Sequence, residues 1–184
     1  MPYRTRTYIA GDWDGDSVAI DQIYRWNEGD KWNLHFVDAH GFKQCYDSSM
    51  PCTIKSDLSD RMNRSKVFVL VVGNNTKSTR KGSCFYQDCG RKWYDYFSGQ
   101  YKCTVVGKSY STESYIDYEC RLAYYAYLKG EMRIVVLYNA ASVDQTKCPE
   151  ILQGVGTHRE MKSYNSVLGR YLYDYTKVKQ AIEG

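Results

Sequence analysis

Six consecutive apolar residues, Val67 to Val72, run into Gly73-Asn74-Asn75. A short β-branched run closed by a turn signal reads as a strand buried on both faces. Such a strand has no polar side to show to water, so helices must cover it above and below. That places it in the middle of a parallel sheet, in a chain that alternates strand and helix. Ligands of open sheets of this kind sit at the carboxyl ends of the central strands. The first candidate site is therefore Gly73-Asn74 and whatever lies beside it.

The rest of the chain supplies the alternation. Thr5–Ala10 is a short strand, followed by the loop Gly11 to Asp16 and a helix over Ser17–Trp26 that Asp16 can cap. Asn33–Val37 is a second strand, and Asp38 to Pro51 is irregular. A helix over Ile54–Asn63 carries Ile54, Leu58 and Met62 at helical spacing. After the central strand comes a polar, cysteine-containing stretch, residues 77–110, read as an insertion in a single domain of residues 1–184. It has room for a short helix within Ser83–Phe97 and an extended piece at Lys102–Val106. Ser111–Gly130 is the best helix of the sequence, with a capping box in Ser114-Tyr-Ile-Asp117 and an apolar face of Ile116, Cys120, Ala123 and Tyr127. Arg133–Tyr138 is another continuous apolar strand, His158–Tyr164 an edge strand, and Asn165–Ile182 a closing helix. No internal repeat is evident. The order predicts a flavodoxin-like, doubly wound, mainly parallel sheet of order 2-1-3-4-5, flanked by helices, with the insertion ahead of the helix that holds Glu119. Its switch point brings Gly11–Asp16 next to Gly73–Thr76.

Charge and cysteines narrow the function classes. The net charge of +4 and the absence of any basic block argue against nucleic acid. No apolar run approaches the ~20 residues of a membrane helix, and the first residues hold no apolar signal-peptide core. With an odd count of seven cysteines, the expectation is a cytoplasmic protein with reduced thiols and no membrane contact. Cys84 and Cys89 lack a second paired half, so no metal site is expected.

Glu119 stands out because it falls within the apolar face of its helix. A carboxylate there is costly unless paired or hydrogen-bonded. It is either a structural acid, satisfied by an amide, a tyrosine or an arginine, or an acid aimed into the crevice. Asp12, Asp14 and Asp16 alternate after the first strand and have the spacing to hold a divalent cation. An EF-hand is excluded, because Ser17 stands where glycine is required and Ile23 where the bidentate acid belongs. A Mg-dependent phosphatase or another nucleotide-binding protein that uses this loop stays open, as does a solvated loop with Asp16 as a cap. The three histidines, His35, His40 and His158, have no evident nucleophilic partner.

Taken together, RTYIAGDW (6–13), SDLSDRMNRSKVFVLVVGNNT (56–76) and SYIDYECRLAYYAYLKGEMRIVVLYN (114–139) resemble the TIR-like superfamily. The closest resemblance is to the bacterial branch that includes the Thoeris antiphage proteins. It covers residues 4–140 apart from the insertion. It implies a nucleotide of the NAD type as substrate, with no separate cofactor. It also implies cleavage of the nicotinamide–ribose bond, giving ADP-ribose or a cyclic derivative. The family's catalytic glutamate falls on Glu119, with Tyr115 as the aromatic residue before it. Ala10, Gly11, Asp12 and Trp13 would face the nucleotide from the first strand, and Gly73 and Asn74 from the third. Self-association and a downstream effector protein are implied as partners. The acidic loop would repel a pyrophosphate unless lysine or arginine residues, or a metal, intervene. A non-catalytic interaction module on the same fold is the alternative.

Overall fold

In a computed structural model, which describes residues 5–29, 34, 36–39, 49–84, 90–105 and 110–184, the run Val67–Val72 forms strand β3 and all of it is buried. The strands before it are β1, Thr5–Gly11, and β2, Phe36–Asp38. Between and after these come helices α1, Ser17–Glu28, and α2, Pro51–Met62. Beyond β3, a hairpin of β4, Lys92–Asp95, and β5, Gln100–Cys103, precedes α3, Tyr115–Leu128. The chain then forms β6, Arg133–Tyr138, and β7, Thr157–Glu160. A second hairpin of β8, Lys162–Asn165, and β9, Arg170–Tyr173, leads into α4, Tyr175–Glu183.

The main sheet has the order β2-β1-β3-β6-β7, and every pairing in it is parallel. Counting only its own strands, this is the doubly wound, flavodoxin-like order 2-1-3-4-5. Alternation splits the core in two. Tyr8 and Ala10 of β1, Phe68, Leu70 and Val72 of β3, and Ile134, Val136 and Tyr138 of β6 pack on the side of α2 and α3. Ile9, Val69, Val71, Val135 and Leu137 face α1 and α4 on the other side. The winding reverses between β1 and β3, as an order of this kind requires.

Helix α3 begins where its capping box predicts. The Ser114 hydroxyl accepts from the Asp117 amide at 3.0 Å and donates to the Asp117 carboxylate at 2.8 Å. Ile116, Glu119, Cys120 and Ala123 are its buried positions, whereas Tyr127, on the same stripe but in the last turn, is exposed. Replacing Ser114 with Ala should lower stability by about 1 kcal/mol. The check is a urea titration, in which the midpoint falls and the slope is unchanged.

Several expectations need correction. Lys92–Asp95 is a strand, not part of a helix. Asn165–Tyr173 is hairpin and turn, so the closing helix starts only at Tyr175. His158–Tyr164 is split between β7, in the main sheet, and β8, outside it. The reason is turn chemistry. The Asp95 carboxylate accepts from the Phe97 amide at 3.1 Å and the Ser98 hydroxyl at 2.8 Å, and Gly99 takes φ of +65°. The Asn165 side chain accepts from the Leu168 amide at 2.9 Å, and Gly169 takes φ of +60°. Both glycines sit in the left-handed region that other residues avoid. Aligned on these turns, the hairpins share Lys-x-Tyr-(Asp/Asn)-x-x-x-Gly-x-Tyr, a short repeat within the chain. Their cross-strand tyrosines meet alike: Tyr94 and Tyr101 at 5.2 Å and 66°, Tyr164 and Tyr171 at 5.3 Å and 66°. Asn33 and His35 of the expected second strand, His40 and Cys45 of the irregular segment, Cys89, and residue 106 of the extended piece lie outside the described residues.

Candidate functional site

The carboxyl ends of β1 and β3 and the amino end of α3 meet on one rim. Against it lies a cleft of about 140 Å³. Gly11, Asp12 and Trp13 from the end of β1 form one wall. Tyr115, Ile116 and Glu119 of α3 form another. Ile54 and Leu58 of α2, with Thr79 and Lys81, complete it.

Glu119 is held from inside the sheet. The Tyr8 hydroxyl of β1 donates to its Oε1. Burial, and then the carboxylate beside it, push the Tyr8 hydroxyl well above its ordinary value, so it stays a donor. Glu119 is only 6% exposed, yet it lines the cleft. Glu119 is therefore both satisfied by a tyrosine and part of the cleft lining. The Tyr115 ring lies on Gly82, whose φ is +96°; a Cβ there would overlap the ring. Trp13 is supported from behind by Tyr24, with ring centroids 6.2 Å apart and planes 27° apart. The Tyr115 amide donates to the Lys81 carbonyl at 2.8 Å, which fastens the residue 79–82 segment to the first turn of α3. On the far side of that contact, buried Lys55 of α2 donates to the Ser111 hydroxyl at 3.0 Å and the Glu113 carbonyl at 2.7 Å. Burial pulls its ammonium below the usual lysine range. Lys55 thus pins the approach to α3 from the α2 side.

The other expected site residues go elsewhere. Ala10 is buried among the α2- and α3-facing side chains. Gly73 and Asn74 line a separate polar cleft of about 230 Å³, with Asp16, Asn139, Asp144 and Lys147 among its walls. There the Lys147 ammonium donates to the Asn74 side-chain oxygen at 2.8 Å. The three loop acids also diverge. Asp12 Oδ1 accepts from the Asp14 amide at 3.3 Å, Asp14 pairs with Lys81, and Asp16 turns inward. Among the described residues no group of three or more His, Cys, Asp or Glu side chains converges as metal ligands, and the five described cysteines are free. No helix there is long and apolar enough to cross a membrane.

Asp16 does not cap α1, although it stands at the N-cap position. Its carboxylate accepts from Asn139 Nδ2 at 2.9 Å and faces the Thr76 hydroxyl at 3.5 Å. The Asn139 oxygen in turn accepts from the Tyr173 hydroxyl at 3.0 Å. Burial raises the Asp16 carboxyl above its usual range, aided by Asp12; Asn139, Thr76 and Lys162 pull the other way. The native state therefore holds this proton more tightly than the unfolded chain does. Stability contributed by Asp16 falls as pH rises from the ordinary carboxyl range through the raised value. Asp16→Asn should remove that segment of the profile, as thermal melts across pH will show.

Residues 8–81, from β1 through Lys81, match the family described as Thoeris protein ThsB, TIR-like domain. This segment belongs to the Thoeris TIR-like family. The match to the TIR-like domain includes Asp12, Trp13 and Gly73 and stops before α3, so Tyr115 and Glu119 lie beyond it. No curated protein matches the chain. Within the TIR-like domain, the sequence reading missed Tyr8, Thr79 and Lys81. Tyr8 was accessible in principle, since strand alternation places it on the same face as Ala10.

Proposed function

We propose that this TIR-like protein cleaves the nicotinamide–ribose bond of NAD or a related nucleotide, as part of an antiphage signalling pathway. The observation that carries the reading is Glu119: a nearly buried acid in the wall of a small cleft that Trp13 and Tyr115 also line. The volume of about 140 Å³ is below the roughly 300–1,000 Å³ of sites that enclose drug-sized ligands. It suits one ring with its sugar, and the phosphates would lie at the mouth.

The chemistry asks little of the protein beyond charge and position. When the bond from ribose C1′ to the nicotinamide nitrogen breaks, the electron pair goes to the ring and nicotinamide leaves neutral. Positive charge builds on the ribose, and a carboxylate beside it stabilises that centre, as acids do in glycoside cleavage. Water then adds to C1′ and gives up a proton, yielding ADP-ribose. Attack by the adenine of the same molecule would give a cyclic product instead. Aromatic walls favour a planar leaving group through stacking. Chromatography of purified protein incubated with NAD should show free nicotinamide. Its absence at high protein concentration would end the enzymatic reading.

A second reading, an interaction module that binds itself or an effector, is favoured by the hairpin tips. Tyr96, Phe97, Val167 and Leu168 are exposed there, and apolar side chains displayed together mark contact surfaces.

A further inference from the structure

The cleft proposed for the nucleotide carries a charge conflict. Asp12 and Glu119 line it, and a pyrophosphate would add further negative charge. Among the described lining residues, Lys81 is the one cation. Its backbone is fixed, because the Lys81 carbonyl takes the Tyr115 amide one helical turn from Glu119. Its ammonium is not committed in the same way. It sits 3.1 Å from Asp14 Oδ2 in a pair whose side chains are 57% and 78% exposed. Exposed pairs of this kind are weak and readily exchanged, whereas charge-assisted bonds to phosphate are stronger.

We infer that Lys81 receives the phosphate groups of the ligand, and that Asp14 holds its ammonium while the site is empty. The inference rests on the nucleotide reading of the cleft and adds to it the residue that selects phosphorylated ligands. Asp14 and the ligand compete for one cation. The acidic loop then sets affinity instead of forbidding it.

Calorimetric titration with ADP-ribose, which lacks the scissile nicotinamide bond, tests this. Both residues are on the surface, so the variants should fold, and circular dichroism checks that. Lys81→Gln should bind ADP-ribose about tenfold more weakly, and Lys81→Arg should recover most of the loss. Asp14→Asn should bind up to about fivefold more tightly. In the Lys81→Gln background Asp14→Asn should gain almost nothing, because the two act through one contact. Titration with adenosine, which has no phosphate, should be the same for all variants. The inference is overturned if Lys81→Gln binds ADP-ribose as wild type does. It is also overturned if the Asp14→Asn gain persists in that background, as a general field effect would, or if wild type and Asp14→Asn bind no ADP-ribose. The two proposals fail separately. Intact ADP-ribose results with no NAD cleavage would remove the enzymatic reading and keep Lys81. Cleavage with the same KM in every variant would do the reverse.

Discussion

Glu119→Gln is expected to reduce nicotinamide release by a factor on the order of a thousand, with the fold intact. Loss of one charge-stabilising group in a water-poor site costs about 3–4 kcal/mol of transition-state energy. The amide keeps the shape, and its oxygen can still accept from Tyr8, whose hydroxyl now holds Oε1. It also removes a charge from a site that is 94% shielded, given the 6% exposure, so folding should not suffer. The comparison is single-turnover release of nicotinamide by variant and wild type at saturating NAD, alongside their melting temperatures. Equal rates would remove Glu119 from the chemistry. A large fall in melting temperature without a fall in rate would make it a structural acid.

A large stability effect should also come from Gly73→Ala. The backbone at Gly73 is ordinary, so the reason is space and not φ. A Cβ there would overlap both carboxylate oxygens of Asp16. Asp16 has nowhere to retreat, because Asn139 holds one oxygen and Thr76 faces the other, while the Thr76 hydroxyl also takes the Gly73 amide at 2.8 Å. Overpacking of this kind costs about 2–3 kcal/mol, on the order of 5–10 °C in melting temperature for a chain of this size. Asp16→Ala removes the obstacle, so the double variant should lose much less than the sum of the two single ones. Simple additivity would show that the contact is not the cause.

How far the sequence can be read follows from what each element depends on. Strand β3 depends on six side chains that cannot face water, and its place at the centre of the sheet follows from them. Helix α3 depends on Ser114 and Asp117 at one end and an apolar stripe along its length. Both are local patterns. The hairpins depend on one side chain, Asp95 or Asn165, reaching back to the amides of its own turn, and on a left-handed glycine. A helical apolar spacing such as Val167, Leu168, Tyr171 and Leu172 hides that signal. The site divides in the same way. Glu119 is legible as an acid on an apolar face, and Asp12 and Trp13 as a loop at a strand end. The separation of Gly73 and Asn74 from Glu119 is not legible. It depends on which side of the rim each loop leans toward, and Asp16 settles that by binding Asn139 across the strand ends.

The two backbone contacts that join residues 81–84 to 111–115, Tyr115 to Lys81 at 2.8 Å and Cys84 to Ser111 at 2.9 Å, pinch the excursion between β3 and α3 into a closed loop. Whatever lies beyond that neck can lengthen, shorten or change its tip without moving the glutamate helix. Descendants of this chain can therefore diversify the excursion while the cleft below it is inherited unchanged.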